Sequence, residues 1–219
     1  MVEISTSILS VKKEDIIKKI YELETAGTSY FHIDVMDGEF VGNNTVDLMQ
    51  VYSEYIKQIS NLPLDVHLMV KDVESFIKSY SILEPSIITF HLEACSSKEE
   101  VFKLIELIKN NNCRVGISIK PNTSIEEIKE FLPYIHLCLV MTVEPGKGGQ
   151  TFLSDMVSKI EKIKQYSVEN NLEYQIEVDG GINLATCEKV KQAGAEILVA
   201  GTAILKAVDY KVIIDELKK

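Results

Sequence analysis

Short apolar runs alternate with amphipathic segments along the whole chain. Eight runs are rich in Ile, Val, Leu, Phe and Tyr, which is typical of buried strands. Between them, apolar residues recur at helical spacing, as in the stripe formed by Val101, Leu104, Ile105 and Ile108. The pattern predicts strands over 2–9, 30–36, 64–70, 86–92, 113–119, 136–143, 174–179 and 196–200, and helices over 13–26, 46–60, 73–83, 97–111, 124–131, 153–170, 184–193 and 203–217.

Eight strand–helix units at even spacing predict an α/β fold, namely a (β/α)8 TIM barrel in which residues 1–219 form a single domain. Thr123 or Ser124, followed by acidic residues, is expected to begin the fifth helix. An open, doubly wound sheet is the alternative, because a count of strands does not establish closure. In a barrel, the functional site is expected at the C-terminal ends of the strands, in the βα loops.

Composition narrows the classes of partner. Of the 219 residues, 46% are hydrophobic and 26% charged, which is ordinary for a globular protein with a sizeable core. The net charge of −10, with Lys and Arg dispersed, argues against nucleic acid and anionic membrane as partners. No apolar stretch approaches the roughly 20 residues that cross a bilayer, and no signal peptide is apparent.

The cysteines favour a reducing compartment. Cys95, Cys113, Cys138 and Cys187 are widely spaced and form no CxxC pair, so we expect buried free thiols. A cytoplasmic location follows as the expectation. We also expect a homo-oligomer, although the helix faces do not specify its order.

Ionisable residues occur where buried strands end. His32 and Asp34 share a strand face with Met36, although burying an unpaired charge costs several kcal/mol. His67 lies near the end of the third strand and Asp179 ends the seventh. Singly, each His is explained by a structural hydrogen bond and each Asp by a helix cap. As a set at one rim, they favour a site for one divalent metal ion, Zn²⁺ or Fe²⁺ first, with Mn²⁺ and Co²⁺ also compatible.

Two further histidines receive structural interpretations. His91 also ends a strand, and we expect it to be structural or to support the site. His136 begins the sixth strand, at the opposite rim, and is expected to be structural.

Glycine-rich loops follow the last three strands. They span 144–152, which contains Lys147, then 179–183, and then 200–205, which contains Thr202. Exposed backbone N–H groups in such loops can bind an anion, and the late loops of these barrels often hold phosphate. One such loop is weak evidence, but three in succession indicate a phosphorylated substrate.

Seven motifs in order along the chain resemble those of the ribulose-phosphate 3-epimerase family. They are "STSILS", "FHIDVMDGEFVGN", "DVHLMV", "ITFHLEA", "VMTVEPGKGGQTF", "IEVDGGIN" and "VAGTAIL", between residues 5 and 205. The resemblance implies interconversion of D-ribulose 5-phosphate and D-xylulose 5-phosphate in the pentose phosphate pathway. It also implies that His32, Asp34, His67 and Asp179 hold the metal and that Asp34 and Asp179 are the catalytic acid–base pair. The substrate-binding residues that it implies are Ser7, His67, Met36, Met69, Met141, Gly146, Lys147, Gly148, Gly149, Gly180, Gly181, Gly201 and Thr202.

Three positions depart from the family pattern. Lys147 stands where Phe is usual, Thr6 where Pro precedes the serine, and Gly42 where Pro is usual after the second strand. These changes concern substrate fit and loop closure rather than the reacting groups.

The proposed chemistry also fits the residues. Epimerisation beside a ketone removes a proton from one face and returns one to the other, which requires two acid–base groups. Asp34 and Asp179 come from separate strands and can flank a substrate. The intermediate is an enediolate, whose negative charge a divalent cation would stabilise.

Three alternatives remain. The first is an epimerase of another ketose phosphate, such as allulose 6-phosphate. The second is a decarboxylase of the orotidine-phosphate type. That family has a D-x-K-x-x-D motif on its catalytic strand, and Met36 stands where the motif has lysine, which argues strongly against this alternative. The third is a non-catalytic barrel that binds sugar phosphates.

Overall fold

Eight parallel strands form a closed barrel, in which β8 pairs with β1. The computed structural model describes residues 2–219. Closure confirms the predicted (β/α)8 barrel and rules out the open, doubly wound sheet. The strands are β1 (Glu3–Ser7), β2 (Tyr30–Met36), β3 (Leu64–Met69), β4 (Ile87–His91), β5 (Arg114–Ile119), β6 (Leu137–Met141), β7 (Gln175–Asp179) and β8 (Ile197–Ala200).

The helices lie outside the barrel and alternate with the strands. They are α1 (Ile16–Ala26), α2 (Val46–Ile59), α3 (Val73–Ser81), α4 (Lys98–Asn110), α5 (Ile125–Ile128), α6 (Met156–Glu169), α7 (Cys187–Ala193), α8 (Thr202–Leu205) and α9 (Tyr210–Lys218). Single 3-10 turns occupy Leu92–Ala94 and Leu132–Tyr134.

Helix ends follow local side-chain chemistry. Ser124, rather than Thr123, begins α5, and it forms a reciprocal capping box with Glu127. The predicted last helix, 203–217, is wrong as a single element. It is divided into α8 and α9 because the Asp209 side chain accepts a hydrogen bond from the Val212 N–H and starts a new helix.

The strand register determines which side chains share a level inside the barrel. Asp34 pairs with His67 and Met36 with Met69 between β2 and β3. Outward-facing apolar residues of the strands pack against the helices in one large core. The inward-facing residues at the C-terminal ends are therefore free to form a polar site.

Two other sequence expectations can be compared with the fold. Within residues 2–219, no helix combines the length and the apolar character needed to cross a membrane. All four cysteines are free, as expected; Cys113, Cys138 and Cys187 are buried, whereas Cys95 is partly exposed.

Candidate active site

Four ionisable side chains from three strands meet at the C-terminal end of the barrel. They are His32 and Asp34 from β2, His67 from β3 and Asp179 from β7, and one potential ligand atom of each lies within 4.8 Å of the others. Oδ1 of Asp34 is 3.5 Å from Nε2 of His32 and 3.7 Å from Nδ1 of His67. Oδ2 of Asp179 is 3.9 Å from Nδ1 of His67. The structure thus brings together all four predicted metal ligands.

The donor atoms of this cluster fit a divalent cation. Nε2 of His32 and Nδ1 of His67 are buried and have no hydrogen-bond partner among residues 2–219, which is costly for polar atoms unless a ligand engages them. Four ligand atoms about 2.1 Å from a common tetrahedral centre are roughly 3.4 Å apart, close to the distances given above. Imidazole nitrogen and carboxylate oxygen bind both Zn²⁺ and Fe²⁺, so these ligand atoms do not distinguish between the two ions.

The two carboxylates of the cluster differ in their electrostatic environment. Burial opposes ionisation of Asp34, but His32 and His67 outweigh it and hold the pKa of that carboxyl well below its usual range. Burial, followed by the negative charge of Asp34, raises the pKa of Asp179 to about 6. The Ser7 hydroxyl donates a 2.7 Å hydrogen bond to Oδ2 of Asp34.

The orientation of His32 is fixed by the Asp65 carboxylate, on the side of the ring away from the cluster. Its Nδ1 lies 2.6 Å from Oδ2 of Asp65, which also accepts a 2.7 Å hydrogen bond from the Ser5 hydroxyl. Glu177 lies beside this pair; burial and then the charge of Asp65 raise its pKa well above the usual value. His32 therefore presents Nε2 to the cluster because its other nitrogen is engaged.

His67 is also held by its other nitrogen. Its Nε2 lies 2.9 Å from Nε2 of His91, and Nδ1 of His91 lies 3.2 Å from Oε2 of Glu93. Burial lowers the pKa of His91 to about 4, against the opposing effect of Glu93. His91 thus supports the site, which is one of its two expected roles. His136 lies at the opposite rim and accepts a hydrogen bond from the Val115 N–H.

A cavity of about 540 Å³ opens above the cluster. Asp34 and Asp179 line it, together with most of the predicted substrate-binding positions. His67 is an exception: it is fully buried and does not line the cavity, because Met69 is two residues nearer the end of the same strand face. The predicted positions that do line it are Ser7, Met36, Met69, Met141, Gly146, Lys147, Gly148, Gly149, Gly180, Gly181, Gly201 and Thr202.

The three glycine loops adjoin one another at one side of this cavity. A Cβ atom on Gly181 would lie 2.6 Å from the Phe152 backbone nitrogen, and one on Gly149 would lie 3.6 Å from Oγ1 of Thr202. Gly181 has a φ of +68°, which favours glycine. The close approach of the Phe152 backbone therefore requires a residue without a side chain at position 181.

The loop after β2 is held to neighbouring loops by hydrogen bonds. Oδ1 of Asp37 accepts the N–H groups of Glu39 and Phe40, and Oδ2 accepts the Lys71 N–H at 2.6 Å. Asn43 donates a 2.5 Å hydrogen bond to the Gly146 carbonyl. The loop after β2 is therefore joined to the loop after β6 at Gly146, which lines the cavity.

Sequence reasoning missed several residues of the site. Lys206 lines the cavity, as Lys147 does; its position directly after the "AGTAIL" motif was the available signal. Glu93 was also missed, although it follows His91 by two residues in "HLEA". Its contact with His91 depends on the turn after β4, which the residue pattern does not specify.

The chain matches a known protein family over most of its length. The match covers residues 3–205, and the family is described as the ribulose-phosphate 3 epimerase family.

The chain belongs to the ribulose-phosphate 3 epimerase family.

Relatives from two organisms agree with this family assignment. A ribulose-phosphate 3-epimerase of Methanocaldococcus jannaschii is 37% identical, over 100% of this chain and 91% of the relative. A Bacillus subtilis protein of the same name is 36% identical, over 100% of this chain and 99% of its own length. This member of the family is thus matched along its whole length.

Solved structures extend the comparison to the fold. A 3-hexulose-6-phosphate synthase aligns with a TM-score of 0.73 at 16% identity, covering 99% of this chain and 98% of its own. KGPDC from Streptococcus mutans aligns with a TM-score of 0.72 at 12% identity, covering 100% of this chain and 96% of its own. At such low identity, these matches establish the barrel fold alone.

Proposed function

We propose that this protein is a metal-dependent epimerase that interconverts D-ribulose 5-phosphate and D-xylulose 5-phosphate by proton transfer at C3. The observation that carries the proposal is the convergence of Asp34 and Asp179 on one buried His₂Asp₂ cluster at the floor of the cavity. Membership of the ribulose-phosphate 3 epimerase family supports the same reaction.

Two carboxylates on separate strands suit a two-base reaction. Asp34 and Asp179 both line the cavity and come from β2 and β7, which are separated around the barrel by β1 and β8. One carboxylate takes the C3 proton from one face of the substrate, and the other donates a proton to the opposite face. In the reverse direction the two exchange roles.

His32, Asp34, His67 and Asp179 would hold the divalent cation. When bound, the cation would act as a Lewis acid that stabilises the negative charge developing on the substrate oxygens. Asp65 and Ser7 orient the ligands His32 and Asp34 through the hydrogen bonds already described.

The rest of the cavity suits a phosphorylated ketose. Met36, Met69 and Met141 form an apolar wall that limits access of water to the reacting carbon. The glycine loops after β6, β7 and β8 would hold the phosphate through backbone N–H groups. Lys147 and Lys206 supply positive charge in a protein whose net charge is −10.

Turnover in deuterated water tests the reaction. The purified protein is assayed for bound metal and then incubated with D-ribulose 5-phosphate in D₂O. We expect a stoichiometric divalent metal and deuterium at C3 of the product. Absence of both would refute the proposal, whereas binding of the sugar phosphate without exchange would indicate a non-catalytic barrel.

Substrate size is tested in the same assay. D-Allulose 6-phosphate is compared with D-ribulose 5-phosphate by kcat/KM. We expect the five-carbon ketose to be preferred; a higher kcat/KM for the six-carbon ketose would assign the protein to the alternative epimerase while leaving the chemistry unchanged.

A further inference from the structure

Both ring nitrogens of His67 are directed at specific partners. Nδ1 faces Asp34 and Asp179, and Nε2 lies 2.9 Å from Nε2 of His91. The His67 and His91 rings are stacked, with centroids 5.0 Å apart and planes 28° from parallel, and both side chains are fully buried. Water therefore does not replace these contacts.

Hydrogen-bonding capacity allows one proton between the two imidazoles. Two N–H groups 2.9 Å apart would repel each other, and two lone pairs would leave the contact without a hydrogen bond. Glu93 lies on the far side of His91, and a carboxylate only accepts. His91 therefore donates a hydrogen bond from Nδ1–H to Glu93, and its Nε2 accepts a hydrogen bond from the Nε2–H of His67.

We propose that His91 and Glu93 are positioning residues that hold His67 in the Nε2–H tautomer, so that its Nδ1 lone pair faces the metal site. The inference rests on the metal site of the proposed function. Neither residue lines the cavity, so both act on the metal-binding residue His67 and not on the substrate.

Glu93 is itself held so that one oxygen remains for His91. Its Oε1 accepts a 2.7 Å hydrogen bond from the Lys120 N–H and another from the Thr123 hydroxyl, while Oε2 faces His91. Burial opposes ionisation, but His91, Thr123 and Lys120 lower the pKa of Glu93 to about 2. Glu93 is therefore a fixed acceptor at neutral pH.

The two histidines of the cluster are restrained by equivalent chemistry. His32 presents Nε2 because Asp65 engages Nδ1 directly. His67 presents Nδ1 because Glu93 acts on its Nε2 through His91. Each imidazole is thus connected to a carboxylate, His32 to the buried Asp65 and His67 to the partly buried Glu93, an arrangement that fixes the tautomer of metal-binding histidines.

Glu93→Gln tests the inference, because it keeps the shape of the side chain but replaces one acceptor by a donor. If the new NH₂ group faces His91, Nδ1 of His91 must accept and its Nε2 must donate a hydrogen bond to Nε2 of His67. His67 then carries its proton on Nδ1, where it blocks metal binding. If the amide turns over, NH₂ opposes the Lys120 N–H. Neither orientation satisfies all partners.

The measurements are Zn²⁺ and Co²⁺ affinity by chelator competition, ¹⁵N chemical shifts of the His67 ring, and the melting temperature of the metal-free protein. We expect affinity about 10- to 100-fold weaker than wild type and a change in the His67 tautomer. The metal-free protein should also melt at a lower temperature, because the amide leaves one partner of Glu93 unsatisfied, so affinity is measured below the melting transition, on folded protein. Glu74→Gln is the matched control, since Glu74 forms surface ion pairs with Lys78 and Lys103.

Substitution of His91 adds a second test. His91→Gln retains an acceptor at about the position of Nε2, whereas His91→Phe removes it, so we expect weaker metal binding by the Phe variant. Wild-type affinity and tautomer in Glu93→Gln would overturn the inference, as would a loss of metal-free stability with unchanged affinity. If the wild-type protein itself binds no divalent cation, the metal site of the proposed function fails instead.

Discussion

The hydroxyl of Ser7 donates a 2.7 Å hydrogen bond to Oδ2 of Asp34, while Oδ1 of the same carboxylate lies 3.5 Å from Nε2 of His32. The two oxygens of Asp34 therefore have different partners, one on β1 and one within the histidine cluster. This contact fixes the rotation of the carboxylate before any substrate binds, which is the kind of preorganisation that proton transfer requires.

Ser7→Ala is expected to lower kcat/KM by about 10- to 100-fold, because hydrogen bonds to charged groups are worth roughly 1.5–3 kcal/mol. The melting temperature should fall by about 3–12 °C, because the same hydrogen bond is present without substrate. Steady-state kinetics and thermal melting check both expectations. Ser81→Ala, which removes a hydroxyl bonded to the Ile77 carbonyl in α3, should leave kcat/KM unchanged; wild-type kinetics in Ser7→Ala would contradict the assigned role.

Asp34→Asn and Asp179→Asn are each expected to lower epimerisation by at least about 10²- to 10⁴-fold, the usual contribution of an acid–base group. Each variant keeps one of the two bases. We therefore expect each to exchange the C3 proton of only one epimer with solvent, and the two variants to act on opposite epimers. NMR detection of deuterium at C3 separates exchange from turnover, and metal content is measured in parallel because both residues are proposed ligands. Substantial epimerisation by either variant would refute the two-base assignment.

The residue pattern predicts the site residues whose positions follow from spacing along one strand. It does not predict contacts that depend on the register between strands. His32 and Asp34 were recognisable because period-two spacing puts them on one strand face, and strand ends meet at one rim in a barrel. The contact between His67 and His91 requires the β3–β4 register, and Glu93 reaches His91 only through the turn after β4. Strand register and turn geometry bring these residues together, and the spacing of apolar residues predicts neither.

The C-terminal segment illustrates the same limit. Apolar spacing continues through Val208, which suggested one helix over 203–217. The Val208 side chain is fully exposed in the structure, and Asp209 caps a separate helix. Periodicity alone did not distinguish a buried apolar residue from one in an exposed connection.

Gly181→Ala is expected to destabilise the protein by about 2 kcal/mol or more. Gly181 has a φ of +68°, and an added Cβ would lie 2.6 Å from the Phe152 nitrogen. At roughly 2–4 °C per kcal/mol for a chain of this size, thermal melting should detect the change. KM for the sugar phosphate should also rise, because the displaced loop belongs to the proposed phosphate site.

Gly42→Ala is the matched control for this prediction. Its φ lies outside the left-handed region, and no atom of the described chain lies within 4 Å of an added Cβ. We expect unchanged stability or a gain of up to about 1 kcal/mol, since alanine restricts the unfolded chain. Equal melting temperatures for the two variants would show that the close approach at Gly181 is not needed.

Lys159→Met tests the support of the segment that holds Glu93. The Lys159 ammonium donates hydrogen bonds of 3.0, 2.6 and 2.7 Å to the carbonyls of Lys120, Pro121 and Thr123. Methionine keeps the apolar stem but leaves these carbonyls without their charged donor, so we expect a loss of about 2 kcal/mol and a melting temperature about 4–8 °C lower. Lys162→Met, on the exposed face of the same helix, should change stability by less than about 0.5 kcal/mol. An equal effect of the two substitutions would mean that the three hydrogen bonds contribute nothing beyond surface charge.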